Sequence, residues 1–583
     1  MSPASLLQHF EQISEASDAV SRLRRFILDL AVRGKLVEQD TADEPASEFL
    51  KRIDASQAIL TKDKKSVSHK QQPFEIDDAC PFPLPKSWEW TRLGSIAEKL
   101  TDGSHNPPRN AGSGYPMLSS QNVQDGSINF ENPSRYLTES DFHAENRRTQ
   151  IDPGDVLLTI VATIGRSAVV PSSAPQFALQ RSVAVIRTQL NAEFFSLQLR
   201  SPYAFTYYDE HAKGTAQRGI YLKKLAAFPV AVPPLVEQHR IVAKVDELMK
   251  LCDELEAVQT KRERRRDRLV TATLHGLNNG EANDENGETL SFEESARFYY
   301  NHLPRLTIRP EHIQQLRQTI LNLAVRGKLV RQDPKHEPAA DLLNRTEKEK
   351  RALTIHNKSR KQELVTISDD DAPFDLPENW AWCRLPQILD VGDSLRRGPF
   401  GSSITKSMFV AKSAIATKVY EQKNAIRKDY SLGSYYINLS EYPNLKSFIA
   451  GPGDIIISCA GTIGETYLLP SEAPEGIINQ ALLKLRLYRK TVDDRYFMLV
   501  FKASTKSRIE EDAKGTAMKN IGSIDYLKHK LLFPLPPFAE QHRILAKVDE
   551  LMMLCDELEA RITNTSTTRR QLLEATLHEA LSS

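Results

Sequence analysis

The sequence predicts an α+β chain built by tandem duplication, in which two globular α/β inserts are carried between long helices. Three observations predict it. The segment EQHRIVAKVDELMKLCDELEA at Glu237–Ala257 returns as EQHRILAKVDELMMLCDELEA at Glu540–Ala560, differing only at Val242/Leu545 and Lys250/Met553. The repeat extends over the whole chain, with LAVRGKLVEQD at Leu30 answered by LAVRGKLVRQD at Leu323, LPKSWEWTRL at Leu84 by LPENWAWCRL at Leu376, and PGDVLLTIVATIG at Pro153 by PGDIIISCAGTIG at Pro452. Within each copy, helical periodicity at the two ends encloses β-branched runs punctuated by Gly and Pro.

Taken in order, the first helix of each copy is marked by Val20, Leu23, Phe26, Ile27 and Leu30, and by Ile313, Leu316, Ile320 and Leu323. The strands of the inserts are read from DVLLTIVATIG and SVAVIRT in copy one and DIIISCAGTIG and ALLKLRLY in copy two. Pro233-Pro234 and Pro536-Pro537 end the last strand and sit just outside a helix start, where Pro is tolerated. From there Ile241, Val245, Leu248, Cys252 and Leu255 keep a 4-3-4-3 spacing, as do Ile544, Val548, Leu551, Cys555 and Leu558. That spacing predicts a coiled-coil seam in which the cysteines act as small apolar residues. The helix is expected to run from 237 to about 274, before the Gly-, Asn- and acid-rich stretch GLNNGEANDENGETLSF.

Length and composition bound the function. A chain of 583 residues holds several domains. The absence of an apolar run long enough to span a bilayer and an acidic N-terminal stretch point to neither a membrane protein nor a secreted one. Five widely separated cysteines without a CxxC pair fit a reducing cytoplasm, with no disulfide framework and no zinc site. The net charge of +1 is unevenly divided: residues 84–235 carry 15 Lys/Arg against 13 Asp/Glu, and residues 376–537 carry 22 against 16. The inserts are thus the basic parts, which suits a nucleic-acid partner.

Catalytic motifs fail on inspection. NPPR at Asn106–Arg109 has Arg where an amino-methyltransferase motif needs an aromatic residue to stack on a flipped base. No GxxxxGK[ST], HExxH or GxSxG string occurs, and the D-x-K of EEDAK at Glu510 has His211 in place of its acid in copy one. These residues argue for a binding protein with no catalytic and no metal site.

The ordered set LAVRGKLV…QD, LPxxWxWxRL, PGD…TIG, KGTA and PP…EQHRI(V/L)AKVDELM…LCDELE, present twice, resembles the DNA-specificity (S) subunit of type I restriction–modification enzymes, in the branch with a conserved N-terminal region. The resemblance implies a conserved helical region and linker at 1–83, a target-recognition domain at 84–235 and a central conserved region at 236–375, formed by a long helix, a linker at 276–292 and a second helix. A second target-recognition domain at 376–537 and a C-terminal conserved helix at 538–583 complete it. The conserved helices would pack as an antiparallel coiled coil. Each recognition domain would read half of an asymmetric, bipartite DNA site. Two modification (methyltransferase) subunits carrying S-adenosylmethionine and two restriction (motor-nuclease) subunits using ATP and magnesium would dock on this chain, which itself holds no cofactor. The complex would be an adenine-N6 DNA methyltransferase and ATP-dependent endonuclease. An alternative is a specificity factor of a methylation-only or other phage-defence system; a protein-binding scaffold is a third reading, which predicts no salt-dependent DNA affinity.

Candidate DNA-binding residues follow from this. The turn TDGSHNPPR, which resembles a DGxH-P loop of the family, offers Asp102, Ser104, His105 and Arg109. GDSLRRGPFGSSI in copy two offers Arg396, Arg397 and Ser402, with glycines that admit close approach of backbone to DNA. Gln121 and Asn122 have the amides that pair with adenine, or else form a strand-end turn. The loops KGTAQRGI and KGTAMKNI supply Lys213, Thr215, Gln217 and Arg218, and Lys514, Thr516, Lys519 and Asn520. The run KRERRRDR at Lys261–Arg268 lies on the long helix and reads as a solvated or subunit-docking face before a DNA patch.

Overall fold

The computed structural model describes residues 16, 18–63, 80–214, 217–279, 282–283, 289–354, 367, 372–399, 404–505 and 524–582. The chain divides into two compact units, Met1–Arg262 with Ser566–Ser583, and Glu263–Thr565.

Unit one begins with helix α1, Ala19–Val32. Its insert is entered through strand β1 (Glu89–Arg92) and contains β2 (Ala97–Asp102), β3 (Val156–Thr159), β4 (Ser167–Val169) and β5 (Val183–Thr188). It is left through β6 (Pro229–Val232), which leads into the 45-residue helix α2, Leu235–Asn279. Strands β2-β5-β3-β4 form an antiparallel sheet in that order. β1 pairs antiparallel with β6, Glu89 opposite Val232 and Arg92 opposite Pro229. Entry and exit of the insert are therefore neighbours, held by one two-stranded clasp.

The seam of α2 packs on α1. Ile241, Val245 and Cys252 are buried with Val20, Ile27 and Ala31, with Leu23, Leu248 and Leu255 packed against them. Full burial of one such aliphatic side chain is worth about 1.5–3 kcal/mol. The two helices run antiparallel: Arg24 meets Asp253 at 2.5 Å and Glu256 at 2.8 Å, while Gln39, beyond the end of α1, meets Glu237 at 2.6 Å. The 4-3-4-3 seam is thus occupied by the first helix of the same copy.

Unit two repeats this plan. Helix α3, Phe292–Leu306, precedes α4, Pro310–Val325. The insert runs from β7 (Ala381–Arg384) through β8 (Leu395–Arg397), β9 (Ile455–Ser458), β10 (Thr466–Leu468) and β11 (Leu482–Leu485) to β12 (Leu532–Leu535). Helix α5, Phe538–Ser582, follows. The sheet order β8-β11-β9-β10 and the β7/β12 clasp reproduce those of unit one. Ile544, Val548 and Cys555 share a core with Ile313 and Ile320, with Leu551 and Leu558 packed against it. A second sheet accompanies each insert, three-stranded in the first and five-stranded in the second.

Two details differ from the sequence reading. The long helix does not stop near 274 but continues to Asn279, and the segment after it is followed by α3, a helix absent from the sequence expectation. α3 is amphipathic, and its Tyr299 and Leu306 cover Val270, Leu274 and Leu277 at the end of α2. In unit one the tail of α5 packs on α1 instead, with Leu573 and Leu577 against Ala16 and Ala19.

The repeated strings now have structural jobs. Gly34 and Gly327 lie at φ +68° and +69°, and a Cβ there would come within 2.5 and 2.3 Å of the Pro85 and Pro377 rings. The aspartates of PGD, Asp155 and Asp454, are buried acceptors for Arg187 and Arg486, with Nε–Oδ1 distances of 2.6 and 2.7 Å. Glu237 and Glu540 of EQH, 1 % and 0 % exposed, accept the indole N–H groups of Trp88 and Trp380 at 3.1 and 3.0 Å. The following Gln238 and Gln541 accept the backbone N–H of Asn191 and Asp493, each at 2.8 Å. The first turn of each long helix is thus tied to its own insert.

Candidate nucleic-acid interface

In the first insert, the loops that carry the candidate residues gather at one end of the β2-β5-β3-β4 sheet. β2 ends at Asp102, and the chain then crosses the 179–180 backbone so closely that a Cβ on Gly103 would sit 2.2 Å from the Leu179 carbonyl oxygen. Ser104 donates its N–H to Leu179 O (2.7 Å) and accepts from Arg181 N (2.9 Å). Ser182 links three loops: its carbonyl accepts from Ile160 N at 2.9 Å and its hydroxyl from Ser120 N at 3.0 Å, while Arg181 beside it holds Ser104. The 213–219 loop joins through Ile220 N to Ile160 O and Ala162 N to Arg218 O, at 2.9 and 3.0 Å. Residues 103–110, 119–122, 160–166, 180–182, 213–214 and 217–219 therefore share one sheet end, although about 100 residues of sequence separate the first from the last.

Of the predicted residues, His105, Arg109, Gln121, Lys213, Gln217 and Arg218 are exposed there and Ser104 is half-buried. Arg218 is held by Asp209 at 3.1 Å. Two of the predicted residues are instead buried. Asp102 is 7 % exposed; one oxygen faces His105 Nε2 at 3.0 Å and the other accepts from Arg148. It holds two exposed side chains, His105 and Arg148. Asn122 is 3 % exposed, accepting from Ser119 N (3.0 Å) and donating to the carbonyls of Asn129 and Asn132 (3.1 and 2.7 Å). Its amide is fully used in holding the turn, while its neighbour Gln121 is exposed.

The loop is further stiffened by Arg135, which donates to the carbonyls of Pro107 and Pro108 at 3.3 and 2.5 Å. Sequence reasoning missed Arg148 and Arg181, both exposed on this surface. No motif marks them; only the sheet order brings residue 181 beside residue 104. The pair Gln180-Arg181 immediately before a strand run was the available signal.

In the second insert, Gly398 takes the place of Gly103: a Cβ there would lie 1.8 Å from the Asn479 carbonyl oxygen. This glycine is required by a chain crossing inside the protein. Arg396 is half-exposed and paired with Asp393 at 3.0 Å. Arg397 is half-buried and lies beside Cys459, whose thiol burial pushes up to about 12. Thr215, Ser402, Lys514, Thr516, Lys519 and Asn520 lie outside the described residues. Among the described residues no cluster of three His, Cys, Asp or Glu has the geometry of a metal site, and no helix is long and apolar enough to cross a membrane.

Comparison with known proteins bears on this geometry. The family model described as the type I restriction modification DNA specificity domain matches residues 85–263 and 400–565, the first spanning an insert and part of the helix after it, the second beginning inside the other insert and running into α5. The EcoAI specificity subunit of a type I restriction enzyme of Escherichia coli is 31 % identical, over 96 % of this chain and 94 % of its own length. The EcoEI specificity subunit, also from Escherichia coli, is 30 % identical over the same shares. A solved HsdS subunit from Thermoanaerobacter tengcongensis aligns over 86 % of this chain and 98 % of its own, at 18 % identity and a TM-score of 0.39. Two matched segments, nearly full-length similarity and a duplicated sheet plan agree, and the chain belongs to the type I restriction–modification DNA-specificity family.

Proposed function

We propose that the chain is the specificity subunit of a type I restriction–modification complex, reading an asymmetric bipartite duplex with one insert per half-site. The observation that carries this reading is the convergence of five loops on one end of the first insert's sheet, where His105, Arg109, Gln121, Arg181 and Lys213 present donors outward. Arg and Lys suit guanine or phosphate, and Gln suits adenine. The second insert, with the same sheet order but different loops, reads a different half-site. The conserved helices pack as antiparallel coiled coils, as α1 does on α2, and set the spacing of the two inserts. They dock two methyltransferase subunits, which bring S-adenosylmethionine, and two motor-nuclease subunits, which bring ATP and magnesium. The chain works in the cytoplasm and performs no catalysis itself.

The clasps β1/β6 and β7/β12 support portability, because entry and exit of each insert are adjacent. The test is to exchange residues 84–235 for the insert of a relative, express the chimaera with its methyltransferase partner and sequence the methylated motif. One half-site should change, while the other half-site and the gap stay the same. A change in both half-sites defeats the one-insert, one-half-site reading.

A further inference from the structure

The internal duplication provides a control for the basic run Lys261–Arg268. α2 and α5 are nearly identical from Glu237/Glu540 to Ala257/Ala560, and ATLH recurs at Ala272 and Ala575. Between these, where α2 has Lys261, Arg264, Arg265 and Arg268, α5 has Asn564, Thr567, Thr568 and Gln571. A long helix of this fold therefore needs no charge at those positions.

The four cations fall at i, i+3, i+4 and i+7, on one face about 100° wide and opposite the buried Val245, Cys252 and Val270. All four are exposed, and none has an ion-pair or hydrogen-bond partner among the described residues. Several other cations on the long helices are matched: Arg240 with Asp43 at 2.7 Å, Lys244 with Glu247 at 2.9 Å and Lys547 with Glu550 at 2.9 Å. Asp267, the acid within the stripe's own two turns that lies nearest Arg268, is drawn away to Arg309 and to His312 at 3.0 Å. Like charges at these spacings oppose helix formation, so the stripe is kept against local stability.

We infer that Lys261, Arg264, Arg265 and Arg268 form a sequence-blind phosphate contact for the duplex whose half-sites the inserts read. This rests on the functional reading above. A polyanion fits because four charges stand within about 10 Å of helix, and duplex DNA presents one negative charge about every 1.7 Å of its axis. A subunit that docks equivalently on both long helices does not explain a stripe carried by one of them.

The experiment measures affinity for a duplex bearing the methylated motif, across a series of salt concentrations, with the chain in complex with its methyltransferase partner. The variant K261Q/R264Q/R265Q/R268Q should flatten the slope of log K against log salt by about 0.9 for each phosphate no longer neutralised, and Arg264→Gln or Arg268→Gln alone by about that single step. The charge-keeping R264K/R265K/R268K should retain the wild-type slope, and the methylated motif should be identical in all. A wild-type slope in the glutamine variants overturns the inference, including when those variants lose their partner subunits, which makes the stripe a protein dock. Should the wild-type complex itself show no salt-dependent DNA affinity, the functional reading fails first. The single variants keep the test open if the quadruple one does not fold.

Discussion

Trp88 Nε1 donates to Glu237 Oε1 at 3.1 Å, and Trp380 repeats the bond to Glu540 at 3.0 Å. A second donor reaches the same oxygen in each copy, Gln39 at 2.6 Å and Gln332 at 2.8 Å. The other oxygen of each carboxyl is buried with no hydrogen-bond partner among the described residues. One carboxyl thus joins three repeated strings: the Q of the first helix's trailing loop, the first W of LPxxWxW and the E of EQH.

Burial pushes both Glu237 and Glu540 above the ordinary glutamate range. A raised folded-state pKa contributes stability that is fully present below the unfolded value and is lost as pH rises through the folded one. Glu237→Gln and Glu540→Gln mimic the protonated acid and keep the oxygen that accepts the indole N–H. Thermal unfolding should show the glutamine variants more stable than wild type at pH 8 and equal to it near pH 4. Glu237→Ala instead strands the Trp88 and Gln39 donors and should cost about 1–3 kcal/mol at either pH.

Asp102→Ala removes the carboxylate that orients His105 and Arg148. Both partners are largely exposed, so stability should change little. Discrimination at the first half-site should fall about tenfold, within the 1–3 kcal/mol of a good base contact. Competition binding with duplexes altered in one half-site measures this. Equal loosening at both half-sites would show that Asp102 acts on the whole chain.

Ala162 adopts φ +66° in the 160–166 loop, where its counterpart Gly461 has φ +66° as well. A left-handed conformation costs a non-glycine residue about 1–2 kcal/mol, and the added backbone freedom of glycine in the unfolded chain offsets about 0.4–1 kcal/mol. Ala162→Gly should therefore leave stability unchanged or raise it by up to about 1 kcal/mol in denaturant unfolding. A clear loss would mean that the methyl group makes a packing interaction that outweighs the strain.

Inserting four residues after Leu255 and four after Leu558 lengthens each long helix by about 6 Å. If these helices set the spacing of the inserts, the gap in the methylated motif should grow by one or two base pairs, about 3.4 Å each, with both half-sites unchanged. An unchanged gap in an active insertion variant assigns the spacing to another element. Val245→Asp, by contrast, buries a charge among Val20, Ile27 and Ile241 and should cost several kcal/mol, read as loss of folded protein.

Repetition within one sequence made the architecture legible. The strings that recur are those with a fixed partner in the fold, such as Gly34 against Pro85, Asp155 against Arg187 and Glu237 against Trp88. Each needs one residue type at one place, so it is written into the sequence twice. Apolar periodicity likewise announced α1, α2, α4 and α5, because a helix buries one face at a fixed interval. It did not name the face's partner. The 4-3-4-3 spacing of α2 is satisfied by any helix of matching seam, and only the tertiary structure shows α1 lying against it. α3 was missed although its sequence FEESARFYYNHLPRL is amphipathic and opens on a capping box, Ser291 with Glu294, both readable locally; its packing partners Val270 and Leu274 were not.

The recognition surface was less legible, and for a different reason. Residue type marked Asp102, Asn122 and Gln121 alike as polar and able to bond, but burial decides which bonds are already made inside the protein. Two of the three are spent there. Arg181 carries only a weak local signal, Gln180-Arg181 before a strand run, since its place beside Ser104 comes from β5 pairing with β2 across a long stretch of intervening chain. Short-range chemistry determined the helices, and repetition displayed the duplication, whereas the clasps pair strands far apart in sequence. Which polar side chains remain free to meet DNA was decided by long-range strand pairing, because pairing alone fixes which loops share a sheet end.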